Sequence, residues 1–301
     1  MNHKICLSAV LLLANAAAYA AGPGTTGASF LKVGVGAREL ALGSAASVLT
    51  EGPNAVNWNP ARLAGVKGKA LTASYNMLFL DESQGFVGYA TPAGGSGVFA
   101  AGLNYLTVAK IEKRAGDTEA ADSTFNNKNT AFALSYARPE VKPGLNVGAS
   151  LKYISQKLDS QSDQAIALDL GSEYKLDDAW TAAFVVQNLG SEIGPDKLPL
   201  AFKGGAARRF LDGKLAAGAD VDWLAYDERV YLDLGAEYLL NGNFAFRAGY
   251  QFGRSKDDLG SALVGLGAGL GFKYDRFSLD YAYVPFGDLG DTHRMTLGFT
   301  F

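Results

Sequence analysis

The last ten residues, Thr292-His293-Arg294-Met295-Thr296-Leu297-Gly298-Phe299-Thr300-Phe301, decide the fold. Met295, Leu297, Phe299 and Phe301 recur at every second position, with Arg294, Thr296, Gly298 and Thr300 between them. Successive side chains of a strand point to opposite faces, so this segment reads as a strand with one greasy face and one small or polar face. The segment before it repeats the pattern, Phe277, Leu279, Tyr281 and Tyr283 alternating with Ser278, Asp280 and Ala282. Further back, Val230, Leu232, Leu234, Ala236 and Tyr238 alternate with Tyr231, Asp233, Gly235 and Glu237.

Extended toward the N-terminus, the same period predicts about fourteen strands. They fall near 69–77, 84–91, 97–107, 129–138, 145–158, 164–175 and 180–189, then 199–209, 214–224, 229–239, 243–253, 262–273, 277–284 and 292–301. Most are long enough to cross a bilayer at a tilt. Short turns such as Pro92-Ala93-Gly94-Gly95, Leu176-Asp177-Asp178, Leu211-Asp212-Gly213, Asn241-Gly242 and Tyr274-Asp275-Arg276 alternate with longer loops near 108–128, 190–198, 254–261 and 285–291. Bacterial outer-membrane barrels have this asymmetry, with tight turns on the periplasmic side.

A soluble all-β protein has the same period, and the filling of the two faces separates the alternatives. A soluble barrel turns bulky apolar residues inward. Here each segment carries its bulky apolar residues on one face only, while the other holds Gly, Ala, Ser and charge. Lys152, Asp169, Glu173, Asp233, Glu237, Arg247 and Arg294 share that second face by parity, with Asp220 and Asp222. Such a face makes no dry core, because buried unpaired charge is prohibitive. It suits a wet or plugged lumen, and an Arg or Lys turned to lipid instead would cost roughly 2–4 kcal/mol at mid-bilayer. The expected class is therefore all-β, a transmembrane antiparallel barrel. In one strand Val264, Leu266, Ala268, Leu270 and Phe272 are expected to face outward, while Gly265, Gly267, Gly269 and Gly271 share the inner face. That bare stripe either admits another backbone closely or merely relieves crowding and curves the sheet.

The chain opens with Lys4, an apolar run from Ile5 to Ala14 and the small-x-small site Ala18-Tyr19-Ala20. This predicts a secretory signal over 1–20, cut after Ala20, too short in its apolar part to span a membrane. A hatch segment at 21–68 and a barrel at 69–301 follow. Cleavage removes Cys6 and His3, leaving a mature chain without cysteine and with His293 as its one histidine, which excludes disulfides and the usual Cys/His metal and catalytic sites. Loss of Lys4 leaves 26 basic against 30 acidic residues, no charge balance for nucleic acid. The 37 Gly, 14 Tyr and 17 Phe, with no long apolar run after the signal, suit many short strands with aromatic girdles.

Residues 21–66 do not alternate. Gly34-Val35-Gly36-Ala37-Arg38-Glu39-Leu40 leads into a small-residue stretch of mild helical character, which Glu51-Gly52-Pro53 breaks before Trp58-Asn59-Pro60-Ala61-Arg62-Leu63. Gly34-x-Gly36 lacks the third glycine and the βαβ setting of a nucleotide loop.

Phe30-Leu31-Lys32-Val33-Gly34-Val35-Gly36-Ala37-Arg38, together with Asn57-Trp58-Asn59-Pro60-Ala61-Arg62-Leu63, resembles the opening of the PorV/PorQ family, part of the FadL-like group of fourteen-stranded outer-membrane proteins. The specific match covers about forty residues. The chain departs from the family at Thr50-Glu51-Gly52-Pro53, where an acidic pair is usual, and at Arg62, where glycine is common. The resemblance implies a hatch inside the barrel that includes Gly34, Gly36, Arg38, Trp58, Asn59, Pro60 and Leu63; the alternative is a motif that only caps the wall. Leu297, Phe299 and Phe301 resemble the C-terminal signal read by the outer-membrane assembly machinery, and an ordinary lipid-facing final strand carries the same residues.

Two functions follow from the resemblance. PorV-like proteins imply a secretion-linked or surface-assembly accessory of type IX secretion, with secreted cargo proteins or secretion-machine subunits as partners. FadL-like proteins imply a transporter of long-chain fatty acids or other hydrophobic small molecules. The loop near 108–128, with Lys110, Glu112, Lys113, Arg114, Asp117, Glu119 and Asp122, reads as a solvated tip, whereas Met77-Leu78-Phe79-Leu80 offers apolar surface in the first external turn. No serine and carboxylate are readable around His293, so no enzyme, cofactor or metal site is expected.

Overall fold

In the computed structural model, which describes residues 24–79, 82–254 and 260–301, fourteen antiparallel strands close into one barrel. The first seven are β1 Ala70–Met77, β2 Glu82–Pro92, β3 Val98–Lys113, β4 Ser123–Lys142, β5 Leu145–Leu158, β6 Gln161–Lys175 and β7 Trp180–Gly190. The rest are β8 Ala201–Phe210, β9 Leu215–Leu224, β10 Arg229–Leu240, β11 Phe244–Phe252, β12 Leu266–Tyr274, β13 Phe277–Pro285 and β14 Asp291–Thr300. Each strand pairs with its neighbours in sequence, and β1 closes on β14 with Ala70 opposite Thr300 and Met77 opposite His293. Closure leaves no strand edge unpaired. The signal segment 1–20 and Leu80 lie outside the described residues.

Alternation places the two faces. On β5, Leu151 is 55% exposed and its neighbour Lys152 only 5%. Ile166, Leu270, Phe277 and Leu297 likewise point out, and Asp169, Glu237, Arg247 and Arg294 point in. Aromatic residues pair directly across strands on the outer wall. Phe244 faces Phe272 with ring centres 5.0 Å apart, and Phe277 faces Phe299 at 4.7 Å, both near the short-turn end. Asn241 and Gly242 both adopt positive φ, the geometry of a two-residue hairpin turn whose twist matches its strands.

Three expectations need correction. The charged 108–128 stretch is mostly strand: β3 runs to Lys113 and β4 starts at Ser123, interrupted by a register shift between Val108 and Ile111. Backbone ladder bonds extend this hairpin past the apolar band, because they need no apolar side chain. Second, β12 starts at Leu266 rather than 262. Gly265, at φ 97°, lies in the preceding turn and its carbonyl accepts from the Gln251 N–H at 2.8 Å, so Val264 turns inward and is fully buried. Third, bulky apolar side chains are not confined to the outer face. Phe86, Leu106, Ile154 and Val185 point into the lumen and are buried. Phe86 packs in one cluster with Val35, Trp58 and Leu63, and Leu106 and Ile154 pack in another with Phe30.

The partners in those clusters come from residues 24–66, which thread the lumen as short helical turns. These are Ser29–Lys32, α1 Ala37–Ala41, Gly52–Asn54, α2 Ala55–Trp58 and Pro60–Gly65. Segments this short do not hold helix alone, so packing and side-chain bonds to the wall hold them.

Candidate functional site

The plug enters at the long-loop end. There Asp227 accepts hydrogen bonds from Gly24 N at 3.1 Å and Thr26 Oγ1 at 3.0 Å, and pairs with Lys32 Nζ at 3.2 Å. It leaves at the short-turn end, where Phe301 N bonds Lys69 O at 2.8 Å. Between them the wall is stripped for it. Gly218, Gly235, Gly249 and Gly267 are successive cross-strand partners on β9 to β12. A Cβ on Gly249 would strike the Leu42 carbonyl carbon and the Gly43 nitrogen, and one on Gly267 would strike the Leu40 carbonyl oxygen. Gly148 and Gly171, partners on β5 and β6, make a second seat under Asn59, Pro60 and Ala61. Gly269 faces the Ala41 methyl, and Gly271 leaves room for the Arg247 guanidinium and Asp280.

Charges fasten the plug. The Arg38 guanidinium donates to Glu237 through Nε at 2.8 Å and Nη2 at 2.7 Å, and to Leu49 O at 2.5 Å. Arg247 donates to Glu237 at 2.5 Å and to Asp280 at 2.7 Å, so β10, β11, β13 and α1 share one ionic network. Ser47 donates its N–H and hydroxyl to Asp220 at 2.7 and 2.6 Å. Arg62 pairs with Glu173 at 2.7 Å. Asn59 Oδ1 caps the Pro60–Gly65 turn by accepting from Ala61 N at 3.0 Å, while its Nδ2 donates to Ser47 O and Ser172 O at 2.8 and 3.2 Å. Trp58 Nε1 donates to Val35 O at 2.9 Å, and Leu63 is fully buried. Gly34 lies flat against the Trp58 ring, and Gly36 immediately precedes α1.

Of the other lumen residues, Lys152 pairs with Asp169 at 2.5 Å and donates to Asn188 Oδ1 at 2.9 Å. Asp233 is buried opposite Asp220 and Gln251. Sequence reasoning missed Glu39, a fully enclosed carboxylate in the plug that accepts from Thr50 Oγ1 at 2.9 Å and Asn54 Nδ2 at 3.1 Å. Burial pushes its pKa above the ordinary range. No local signal marks it, since a glutamate beside an arginine reads as surface. His293 lies on the outer wall, its Nδ1 2.7 Å from the Tyr281 hydroxyl.

Above the plug a cavity of about 440 Å³ remains. Leu31, Val33, Leu40, Trp58, Val284 and Phe286 supply apolar wall. Its charged residues are Lys32, Lys203, Arg229, Arg254 and Arg294 against Asp222 and Asp227. Phe79, beside the mouth, meets the Phe286 ring edge-on at 5.5 Å. Pockets that combine an apolar lining with few polar groups are the usual form of small-molecule sites.

No protein-family model and no curated protein matches the chain. Solved structures do match in fold. The CymD monoaromatic hydrocarbon channel aligns at TM-score 0.64 and 14% identity over 89% of this chain and 98% of its own. The Ralstonia pickettii toluene transporter TbuX aligns at 0.64 and 15% over the same shares. A Pseudomonas aeruginosa FadL homologue gives 0.61 and 12%, again over 89% and 98%.

Proposed function

We propose that this chain is an outer-membrane channel for small hydrophobic molecules, reached by Sec export and insertion of the barrel into lipid. The observation that carries this reading is the plugged lumen. A general pore keeps an open aqueous path, whereas here residues 24–66 fill the barrel and leave a half-apolar cavity toward the long loops. The apolar outer band suits hydrocarbon, and the channels and transporters that share the fold are named for hydrocarbons. A ligand gathers among the external loops, occupies the cavity, and leaves past the plug or through the wall. Leu297, Phe299 and Phe301 on the final strand serve as the tag for the assembly machinery.

The Asn57–Leu63 element supports a second reading, a secretion-linked accessory of the PorV/PorQ kind. The long charged β3–β4 hairpin, standing beyond the apolar band, would then hold cargo or a machine subunit. A deletion strain separates the two. The channel reading expects slower uptake of radiolabelled toluene or long-chain fatty acid with an unchanged surface proteome. Loss of surface proteins with normal uptake would overturn it in favour of the accessory.

A further inference from the structure

The two ends of the barrel carry opposite charge. In the turns and strand ends at 67–69, 138–144, 175–179, 208–214 and 273–276, ten Lys and Arg side chains stand against five Asp and Glu. At the other end, the segments 109–128, 156–164, 190–200, 225–229 and 286–291 hold seven basic side chains against twelve acidic ones. The short-turn end is thus basic in a chain that is acidic overall. Its charges are little used within the barrel: of the ten, only Lys175 is ion-paired among the described residues, to Asp178 at 2.9 Å. Two of them stand on the outer wall. Ala207 is buried toward the lumen, so Arg208 beside it on β8 points outward, and it is exposed. Its cross-strand partner is Trp180 on β7, and its guanidinium lies 5.4 Å from that ring centre and 4.7 Å from the Phe210 ring centre. Ala137 likewise faces in, so Arg138 on β4 faces out and is exposed, two positions from Tyr136, whose ring centre is 4.9 Å from that of Phe99. Arg138 donates to Ser96 O at 3.4 Å.

Aromatic side chains on the outer wall of a membrane barrel mark the level of the lipid headgroups. A cation stacked on them lays its stem on apolar surface and keeps its charged end at that level. What it meets there is a headgroup, and a guanidinium fork matches a phosphate through two parallel hydrogen bonds. A zwitterionic headgroup neutralises its phosphate with its own amine, whereas an anionic one leaves the charge for the protein. We propose that the short-turn rim is a docking surface for anionic phospholipid of the periplasmic leaflet. Arg208 and Arg138 each hold a headgroup phosphate, and the unpaired cations around them supply the field that gathers the lipid. A soluble partner would be met by cations pointing down from the turns, but these two lie on the wall among outward aromatic rings. The inference needs the barrel to sit in lipid with its short turns toward the periplasm, and it is independent of what the lumen passes.

Purified full-length barrel in non-ionic detergent, offered equal amounts of phosphatidylglycerol and phosphatidylcholine with the same acyl chains, tests it. Native mass spectrometry counts the lipid of each kind that stays bound. Phosphatidylglycerol is expected to be retained at least about fivefold over phosphatidylcholine, the attraction of one cation near each headgroup. Raising ammonium acetate from about 0.05 to about 0.5 M is expected to bring the ratio toward one, because the field is screened. Arg208→Gln combined with Arg138→Gln is expected to lower the ratio to near one. Arg208→Lys with Arg138→Lys keeps part of it, since the charge stays and the fork goes. Lys110→Gln with Lys113→Gln, at the long-loop end, leaves it unchanged. Both arginines are exposed, and the compact migration of unheated samples on gels checks that each variant is folded. Equal retention of the two lipids by the native chain would overturn the docking surface. A preference that survives the double Gln variant, or that the long-loop variant lowers as much, would overturn its assignment to these arginines. Each of those results leaves the channel standing.

Discussion

Substituting Gly249 by alanine adds one methyl group where the plug has no room for it. The new Cβ falls on the Leu42 carbonyl carbon and the Gly43 nitrogen, well inside the 3.4 Å at which ordinary contact begins. Both opposing atoms are backbone, so no rotamer change relieves the overlap, and Leu42 is itself fully buried. Overpacking of this kind costs about 1–3 kcal/mol. The strand gains back about 0.5–1 kcal/mol, because glycine is a poor strand residue. Gly204→Ala is the matched control: it lies on β8, with open space around its would-be Cβ, and keeps only the gain. The pair should therefore differ by about 2 kcal/mol, roughly thirtyfold in the unfolding equilibrium. Urea titration of barrels refolded into vesicles, followed by tryptophan emission and electrophoretic mobility, measures it. Ion conductance in planar bilayers reports whether the plug has lifted, and is expected to rise for Gly249→Ala only. Coincident unfolding curves with equal conductance would refute the seating of the plug on this glycine row.

Arg38→Met removes the plug's bidentate hold on Glu237 and is expected to destabilise the barrel by about 3 kcal/mol; adding Glu237→Gln should recover part of that loss, as urea midpoints of the single and double variants will show. Glu39 has its pKa raised in the folded state, so the native chain binds more protons than the unfolded one above the ordinary glutamate range, and this group's contribution to stability falls as pH rises through that window. Glu39→Gln should therefore match the native chain near pH ~4 and exceed it in stability at pH ~7; urea midpoints that keep a constant separation across that range would contradict the assignment.

Fold class was legible because side-chain period is local. Leu151 beside Lys152, or Leu297 beside Thr296, states which way each points with no knowledge of the neighbouring strand. Strand ends were less legible. The β3–β4 ladder continues through charged residues because backbone bonds alone sustain it, and the single positive φ of Gly265 reverses the side on which Val264 falls.

The sequence by itself therefore determined the strands, their approximate number, which face of most of them is greasy, and a lumen either wet or plugged. Only the tertiary structure decided what meets what there. Arg38 and Glu237 lie 199 positions apart, and Gly249 and Leu42 meet only because closure wraps β11 over the plug. Which inward charges find an ion-pair partner among the described residues, and that Arg294 does not, depends on distances set by barrel closure and plug path. Alternation gives each residue a face, but hydrogen bonds and close contacts depend on separations of a few ångströms between segments remote in the chain.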